Sequence, residues 1–326
     1  SSEFGVSSSE FKLATRNSQL ATQLRWIAGG VTAARGFRAA GVSAGIKRSR
    51  KPDMALVVSD VPATAVATLT SNRVKAAPVL ISQARLKAGM ATGVLLNSGC
   101  ANCMTGAQGV RDALTLSHDV TRMLGVADRR MLVASTGVIG RRLPLSRMRR
   151  VIPQLVQQLR RSGHRDAAHA ILTTDLKAKE AAASIPRIHL GGMAKGAGMI
   201  APSLATMLCV LTTDAAADRR LLQAMLREAV EESFNRISVD GDMSTNDSVF
   251  LLANGRSGVT LRRGTAQAEA FEAMLRAVTR TLARLIVEDG EGATRTMEVC
   301  VVGARTEAEA QACARAVACS SLVKTM

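Results

Sequence analysis

The chain has 326 residues, 47% hydrophobic and 21% charged, and its 43 Lys and Arg against 26 Asp and Glu give a formal charge of +17. That apolar share excludes a disordered chain, and no uninterrupted apolar run is long enough for a spanning helix. Aromatics are only 2% with no Tyr, so a base-stacking platform for single-stranded nucleic acid is excluded, and four scattered His leave little for a His-rich metal site or a Ser-His-Asp triad.

Residues 1–28 read as a tag-like or disordered segment: Ser1–Glu10 is Ser-rich, and the segment lacks the apolar stretch of a secretory signal. From Gly29 short apolar runs alternate with helical periods. The runs 55–58, 78–81, 93–96 and 131–134 predict buried strands. Between them, Val110, Ala113, Leu114, Val120 and Leu124 share one face of a helix over 107–124, and Met148, Ile152, Leu155, Val156 and Leu159 share one over 145–160. In the second half, 206–211 predicts a strand and Leu222, Met225, Leu226, Ala229 and Val230 a helix face. A strand over 248–253, a helix over 266–287, a strand over 297–303 and a helix over 306–318 follow. The alternation predicts an α/β or α+β protein in two halves, without repeats or a long linker.

Arginines 141, 142, 147, 149, 150, 160, 161 and 165 crowd one region. A phosphate or nucleic-acid patch and a solvated helix face both fit, and the lack of aromatics favours the solvated face. Cys100, Cys103, Cys209, Cys300, Cys313 and Cys319 sit mostly in apolar stretches and read as buried free thiols; the lone Cys100–Cys103 pair has no second pair with which to bind zinc.

Six stretches are too rich in Gly, Ser, Thr and Asn to be packing elements, and they fall at the ends of predicted strands, where sites tend to lie. They are 97–102, 134–140, Thr173-Thr174-Asp175, 195–202, 240–247 and 288–294. Each alone reads as a turn or cap. The acidic loop 240–247 lacks EF-hand spacing, and Lys195-Gly196-Ala197-Gly198 lacks that of a phosphate loop.

Taken together and in order, these stretches resemble the glutamate N-acetyltransferase family, also called ornithine acetyltransferase. The matching words are Gly36-Phe37-Arg38-Ala39-Ala40-Gly41-Val42, Asn97-Ser98-Gly99-Cys100-Ala101-Asn102 and Ser135-Thr136-Gly137-Val138-Ile139-Gly140. Thr173-Thr174-Asp175, Lys195-Gly196-Ala197-Gly198-Met199-Ile200-Ala201-Pro202, Ala205-Thr206-Met207-Leu208, Val239-Asp240-Gly241-Asp242 and Gly290-Glu291-Gly292-Ala293-Thr294 complete them. The resemblance runs from about residue 29 to the end.

It implies a self-processing N-terminal-nucleophile fold of the ornithine acetyltransferase/aminopeptidase kind, with layered helices and mixed sheets. Cleavage at Ala205–Thr206 would divide the chain into an alpha chain, 29–205, and a beta chain, 206–326; the family's C-terminal tail would lie beyond Met326. The freed α-amine of Thr206, with a reference pKa of about 7.7–8.0, would act as base for the Thr206 hydroxyl. By resemblance, the acetyl group passes from N2-acetylornithine to Thr206 and then to glutamate. Thr136 and Gly137 form the oxyanion hole, and Thr174, Lys195, Thr206 and Glu291 contact substrate.

The resemblance also implies arginine biosynthesis, a heterotetramer of two alpha and two beta chains, a cytoplasmic or mitochondrial-matrix setting, and no metal or resident cofactor. Acetyl-CoA as a second acyl donor, an amidase or aminopeptidase on the same fold, and a truncated inactive homologue stay open.

Overall fold

The computed structural model describes residues 23–200 and 207–325. Ala205 and Thr206 lie outside the described residues. In chain order the elements are β1 (Arg25–Trp26), β2 (Phe37–Val42), β3 (Met54–Leu69), α1 (Ala77–Arg85), β4 (Met90–Cys100), α2 (Gly106–Leu124), β5 (Met131–Val138), α3 (Leu145–Gln157) and α4 (His164–Ala170). Next come β6 (Lys179–Ile185), β7 (Ile188–Lys195), β8 (Leu208–Thr213), β9 (Ala216–Ala217), α5 (Arg219–Glu231), β10 (Ser248–Ala253), β11 (Thr260–Leu261), α6 (Ala266–Glu288), α7 (Glu307–Ala318) and α8 (Ser321–Thr325).

The 16-residue strand β3 organises everything else. Its first part pairs with β2 and β4, its last part with β10, and its register shifts between Val58 and Ala63. The chain bends there, so one hydrogen-bonded sheet becomes two leaves. β2, β4 and β5 extend one leaf; β10, β8, β7, β6 and β1 extend the other. Pairing is parallel for β4–β5 and β8–β10 and antiparallel elsewhere in this sheet, so it is mixed.

Leu96 and Leu132 from the first leaf meet Leu208, Val210, Phe250 and Leu252 from the second in a shared core. The outer face of the first leaf is covered by α2 and α3 through Leu116, Val120, Met148 and Leu155. The outer face of the second is covered by α5 and α6 through Leu222, Leu226, Phe271 and Leu282. β10 shows why its sequence is apolar throughout. Phe250 and Leu252 face the core between the leaves while Val249 and Leu251 face the helices, so neither side meets water.

Most predicted elements form, with three corrections. The run 78–81 is helical, not a strand: Pro78 sits in the first turn of α1, where a missing N–H costs nothing. The expected strand at 297–303 does not form. No strand pairs with it among the described residues, and Met297 and Val302 are exposed. The segment 1–28 gives way to the fold earlier than expected, because Arg25 and Trp26 pair with Ser184 and Ala183 at the sheet edge. The two halves of the sequence are joined in the second leaf, where β8 and β10 of the second half lie between β7 and β3 of the first.

Cys100, Cys103 and Cys209 are buried, but Cys300, Cys313 and Cys319 are exposed, so the reading of six buried thiols holds for three. The clustered arginines line an exposed surface where Arg149 pairs with Asp119 at 2.6 Å, Arg142 with Asp112 at 3.6 Å, and Arg160 with Asp166. No helix among the described residues is long and apolar enough to cross a membrane.

Candidate active site

The ends of β5 and β7, the start of β8, and the loops before β6, before β10 and after α6 converge at one place. β5 delivers Thr136 and Gly137. Gly137 has φ +123, and a Cβ there would stand 2.5 Å from the carbonyl carbon of Gly99 on the paired strand β4. Only glycine fits, on conformational and on steric grounds. Ser135 donates to Asn97 Oδ1 at 2.6 Å, and Asn97 donates to the Cys100 carbonyl at 2.8 Å, so the turn is fixed from beneath.

Lys195 is the last residue of β7, with a side chain only 2% exposed. Its ammonium donates to Thr136 Oγ1 at 3.4 Å and lies 3.8 Å from Asp175 Oδ2. Burial pushes the Lys195 pKa down, and the negative charge of Asp175 opposes that shift. For Asp175 itself, burial pushes the carboxyl up, but Lys195 and Lys179 together outweigh it and hold it at about 2.

Asp175 knots the loop before β6. It accepts from Gly196 N at 2.6 Å, Thr173 N at 2.9 Å and Lys179 Nζ at 2.7 Å. Lys179 also donates to Asp289 Oδ2 at 2.5 Å, and the same oxygen accepts from Leu176 N at 3.0 Å and Lys177 N at 3.2 Å. A buried Asp–Lys–Asp triad therefore ties the loop that carries Thr174 to the loop that carries Glu291. Thr174 is exposed between the residues so held. Glu291 is exposed too, its backbone N–H donating to the Ala197 carbonyl at 2.7 Å. Its carboxyl lies where a Cβ on Gly198 would be, with the Glu291 Cδ 2.6 Å from that point.

Asp240 accepts from Met199 N and, at 2.8 Å, from Ile200 N, anchoring the chain just before residue 201. Asn246 donates to the carbonyls of Ala101 at 2.7 Å and Ser135 at 2.8 Å, binding this loop to the Thr136 turn. The neighbouring Asp247 accepts from Met207 N at 2.9 Å, while its second oxygen is buried without a hydrogen-bond partner among the described residues. Burial pushes its carboxyl well up.

Of the expected site residues, Thr136, Gly137 and Lys195 come together, with Thr174 and Glu291 on the two tied loops around them. Sequence reading did not single out Lys179, Asp247 or Lys47. Only a lysine opening an alanine-rich strand marked the first. Lys47 lays its stem against Gly99, and burial lowers its pKa to about 8. None of the four His belongs to the cluster: His118 pairs with Asp128, His164 with Glu180 and His189 with Asp214, while His169 bonds the Arg165 carbonyl.

A profile of the ArgJ family matches residues 38–326. An arginine biosynthesis bifunctional protein ArgJ from Thermosynechococcus vestitus is 49% identical over 305 residues, covering 92% of this chain and 73% of the relative. The one from a Synechococcus species is 48% identical over 312 residues, covering 93% and 75%. Among solved structures, an ornithine acetyltransferase complexed with ornithine from Mycobacterium tuberculosis is 43% identical with a TM-score of 0.53, and the match covers 56% of this chain and 100% of that one. A β-aminopeptidase from a Burkholderia species shares the fold at 10% identity, with a TM-score of 0.52 over 80% of this chain and 87% of that one.

Proposed function

The chain belongs to the ArgJ family, and on that premise we propose that it moves an acetyl group from N2-acetylornithine to glutamate through an acetyl-enzyme on Thr206. The observation that carries this reading is the meeting of the Thr136–Gly137 turn with Lys195 at the end of β7, beside the strand that Thr206 precedes.

The chemistry begins with self-cleavage. The Thr206 hydroxyl attacks the Ala205 carbonyl carbon, the peptide C–N bond breaks to free the α-amine of Thr206, and water hydrolyses the resulting ester, releasing the Ala205 carboxylate and restoring the Thr206 hydroxyl. One residue then supplies nucleophile and base, which accounts for an active site without histidine.

In the acyl-transfer step, Thr206 Oγ bonds the acetyl carbon and the carbonyl electrons move to oxygen. The Thr136 hydroxyl and the Gly137 N–H receive that charge. Loss of one such donor in other enzymes costs about 2.7–4 kcal/mol. Ornithine departs with the proton taken from the hydroxyl, and the glutamate amine repeats the attack in reverse. Glu291 suits the donor's free ammonium and Lys195 a carboxylate, so one cleft holds groups of both signs for amino-acid substrates. Acetyl-CoA serves as a second acyl donor in this reading, the cleaved chains assemble as a heterotetramer, and the setting is cytoplasmic.

Intact-mass measurement tests it. Wild type is expected as two chains split before Thr206, and Thr206→Ala as one. N-acetylornithine should add one acetyl group to the Thr206 fragment, and glutamate should remove it faster than water does. A wild-type chain that stays whole, or one whose fragment takes up no acetyl group, overturns the reading.

A further inference from the structure

Lys195 has a second role open to it besides a substrate carboxylate. Its ammonium carries only donors, and one of them points at Thr136 Oγ1 at 3.4 Å. Among the described residues the Thr136 hydroxyl has no other hydrogen bond. A hydroxyl that accepts from an ammonium cannot return its own proton along the same line, so its O–H is turned toward another acceptor. In an acyl-transfer site that acceptor is the carbonyl oxygen of the bound acyl group.

We propose that Lys195 is a positioning residue of the oxyanion hole: by donating to Thr136 it aims the threonine O–H at the developing oxyanion, and Asp175 keeps the ammonium in place. The proposal rests on the acetyl-transfer reading and deepens it. No proton leaves Thr136; it donates a hydrogen bond while the acyl oxygen takes the electron pair. The contact is 3.4 Å long, and hydrogen bonds of this kind tighten when charge develops on the reacting group.

Asp175 is needed for a physical reason. Burial drives Lys195 toward its neutral form, and a neutral amine accepts hydrogen bonds. The Lys195–Thr136 bond would then reverse, with the hydroxyl donating to the amine and lost to the oxyanion. Asp175 Oδ2 at 3.8 Å opposes this. Its own position is over-determined by Gly196 N at 2.6 Å, Thr173 N at 2.9 Å and Lys179 at 2.7 Å.

An acyl donor without a carboxylate separates the two roles. With p-nitrophenyl acetate, acetyl-enzyme formation in Lys195→Met should fall at least ~10-fold, as expected for a misdirected oxyanion donor. Lys195→Arg should recover part of it, and Asp175→Asn should slow the same step. Adding Thr136→Val to Lys195→Met should cost little more, because the hydroxyl is already misaimed.

The proposal is overturned if Lys195→Met is acetylated by p-nitrophenyl acetate at the wild-type rate while its KM for N-acetylornithine rises. Lys195 would then only hold the substrate. Should Lys195→Met fail to unfold cooperatively, Asp175→Asn decides: wild-type acetylation by the ester overturns the relay. Failure of the acetyl-transfer reading itself looks different, with wild type taking no acetyl group from N-acetylornithine.

Discussion

Replacing Lys179 by Met removes one charge from the middle of the triad and leaves its shape nearly intact. The Lys179 side chain is 1% exposed, and its carboxylate partners Asp175 and Asp289 are 0% and 5% exposed. Two buried carboxylates would then face each other across an apolar stem, with Lys195 at 3.8 Å left for Asp175. Removing one partner of a buried pair costs about 3–5 kcal/mol, because the remaining charge is left unpaid. Total stabilities run to about 5–15 kcal/mol, and 1 kcal/mol shifts Tm by about 2–4 °C in a large domain, so a drop on the order of 10 °C is expected. The assay is thermal unfolding of wild type, Lys179→Met, and Lys179→Met combined with Asp175→Asn and Asp289→Asn. The triple variant removes the stranded charges and should regain most of the loss. A Tm within about 2 °C of wild type for Lys179→Met would refute the reasoning, since it would show that water or relaxation reaches the triad.

Four further outcomes are expected. Asp175 sits at about 2, below its ordinary 3.8, so its stabilising contribution is complete above about pH 4 and is lost as pH falls toward 2. Acid unfolding of Asp175→Asn should lack that component, and an unchanged acid transition would count against it. Gly137→Ala should lower acetyl-enzyme formation by at least ~100-fold, measured by mass, because its Cβ would stand 2.5 Å from Gly99 backbone in the oxyanion turn. Gly198→Ala should push the Glu291 carboxyl aside, its Cβ falling 2.6 Å from Glu291 Cδ, and raise KM for N-acetylornithine about 10-fold with Tm little changed. Native protein should label quickly at Cys300, Cys313 and Cys319, and at Cys100, Cys103 and Cys209 only after unfolding; burial also pushes the Cys209 thiol well up, away from thiolate.

Legibility in the sequence followed the range of the interactions. The helices α2, α5 and α6 were readable because their burial repeats every three to four residues, a local signal. β10 was readable because both its faces are covered, giving an unbroken apolar run. The run 78–81 misled because four apolar residues suit a strand or a helix, and only the Pro78 position favours the helix. The run 297–303 misled because apolar content does not supply a neighbouring strand. In the site, Thr136, Gly137, Lys195 and Glu291 were marked by motif words, whereas Lys179 and Asp247 were not, since a buried charge is recognised by its partners: Asp175 is near Lys179, but Asp289 lies 110 positions from it and Met207 40 positions from Asp247.

The sequence by itself therefore determined the alternation of elements and the family, and with four His and no Tyr it is compatible with the proposed Thr206 base that the resemblance implies. What only the tertiary structure decided is how the pieces face one another. β3 bends between Val58 and Ala63 and folds one sheet into two packed leaves. That bend brings Thr136 within 3.4 Å of Lys195, 59 positions away, while the packing of α6 on β6 within the second leaf lets Lys179 bridge Asp175 and Asp289, which is 110 positions distant. Contacts of that span carry no local periodicity. They exist because closing the core between the leaves places those side chains together, and burial then requires each charge to find its partner.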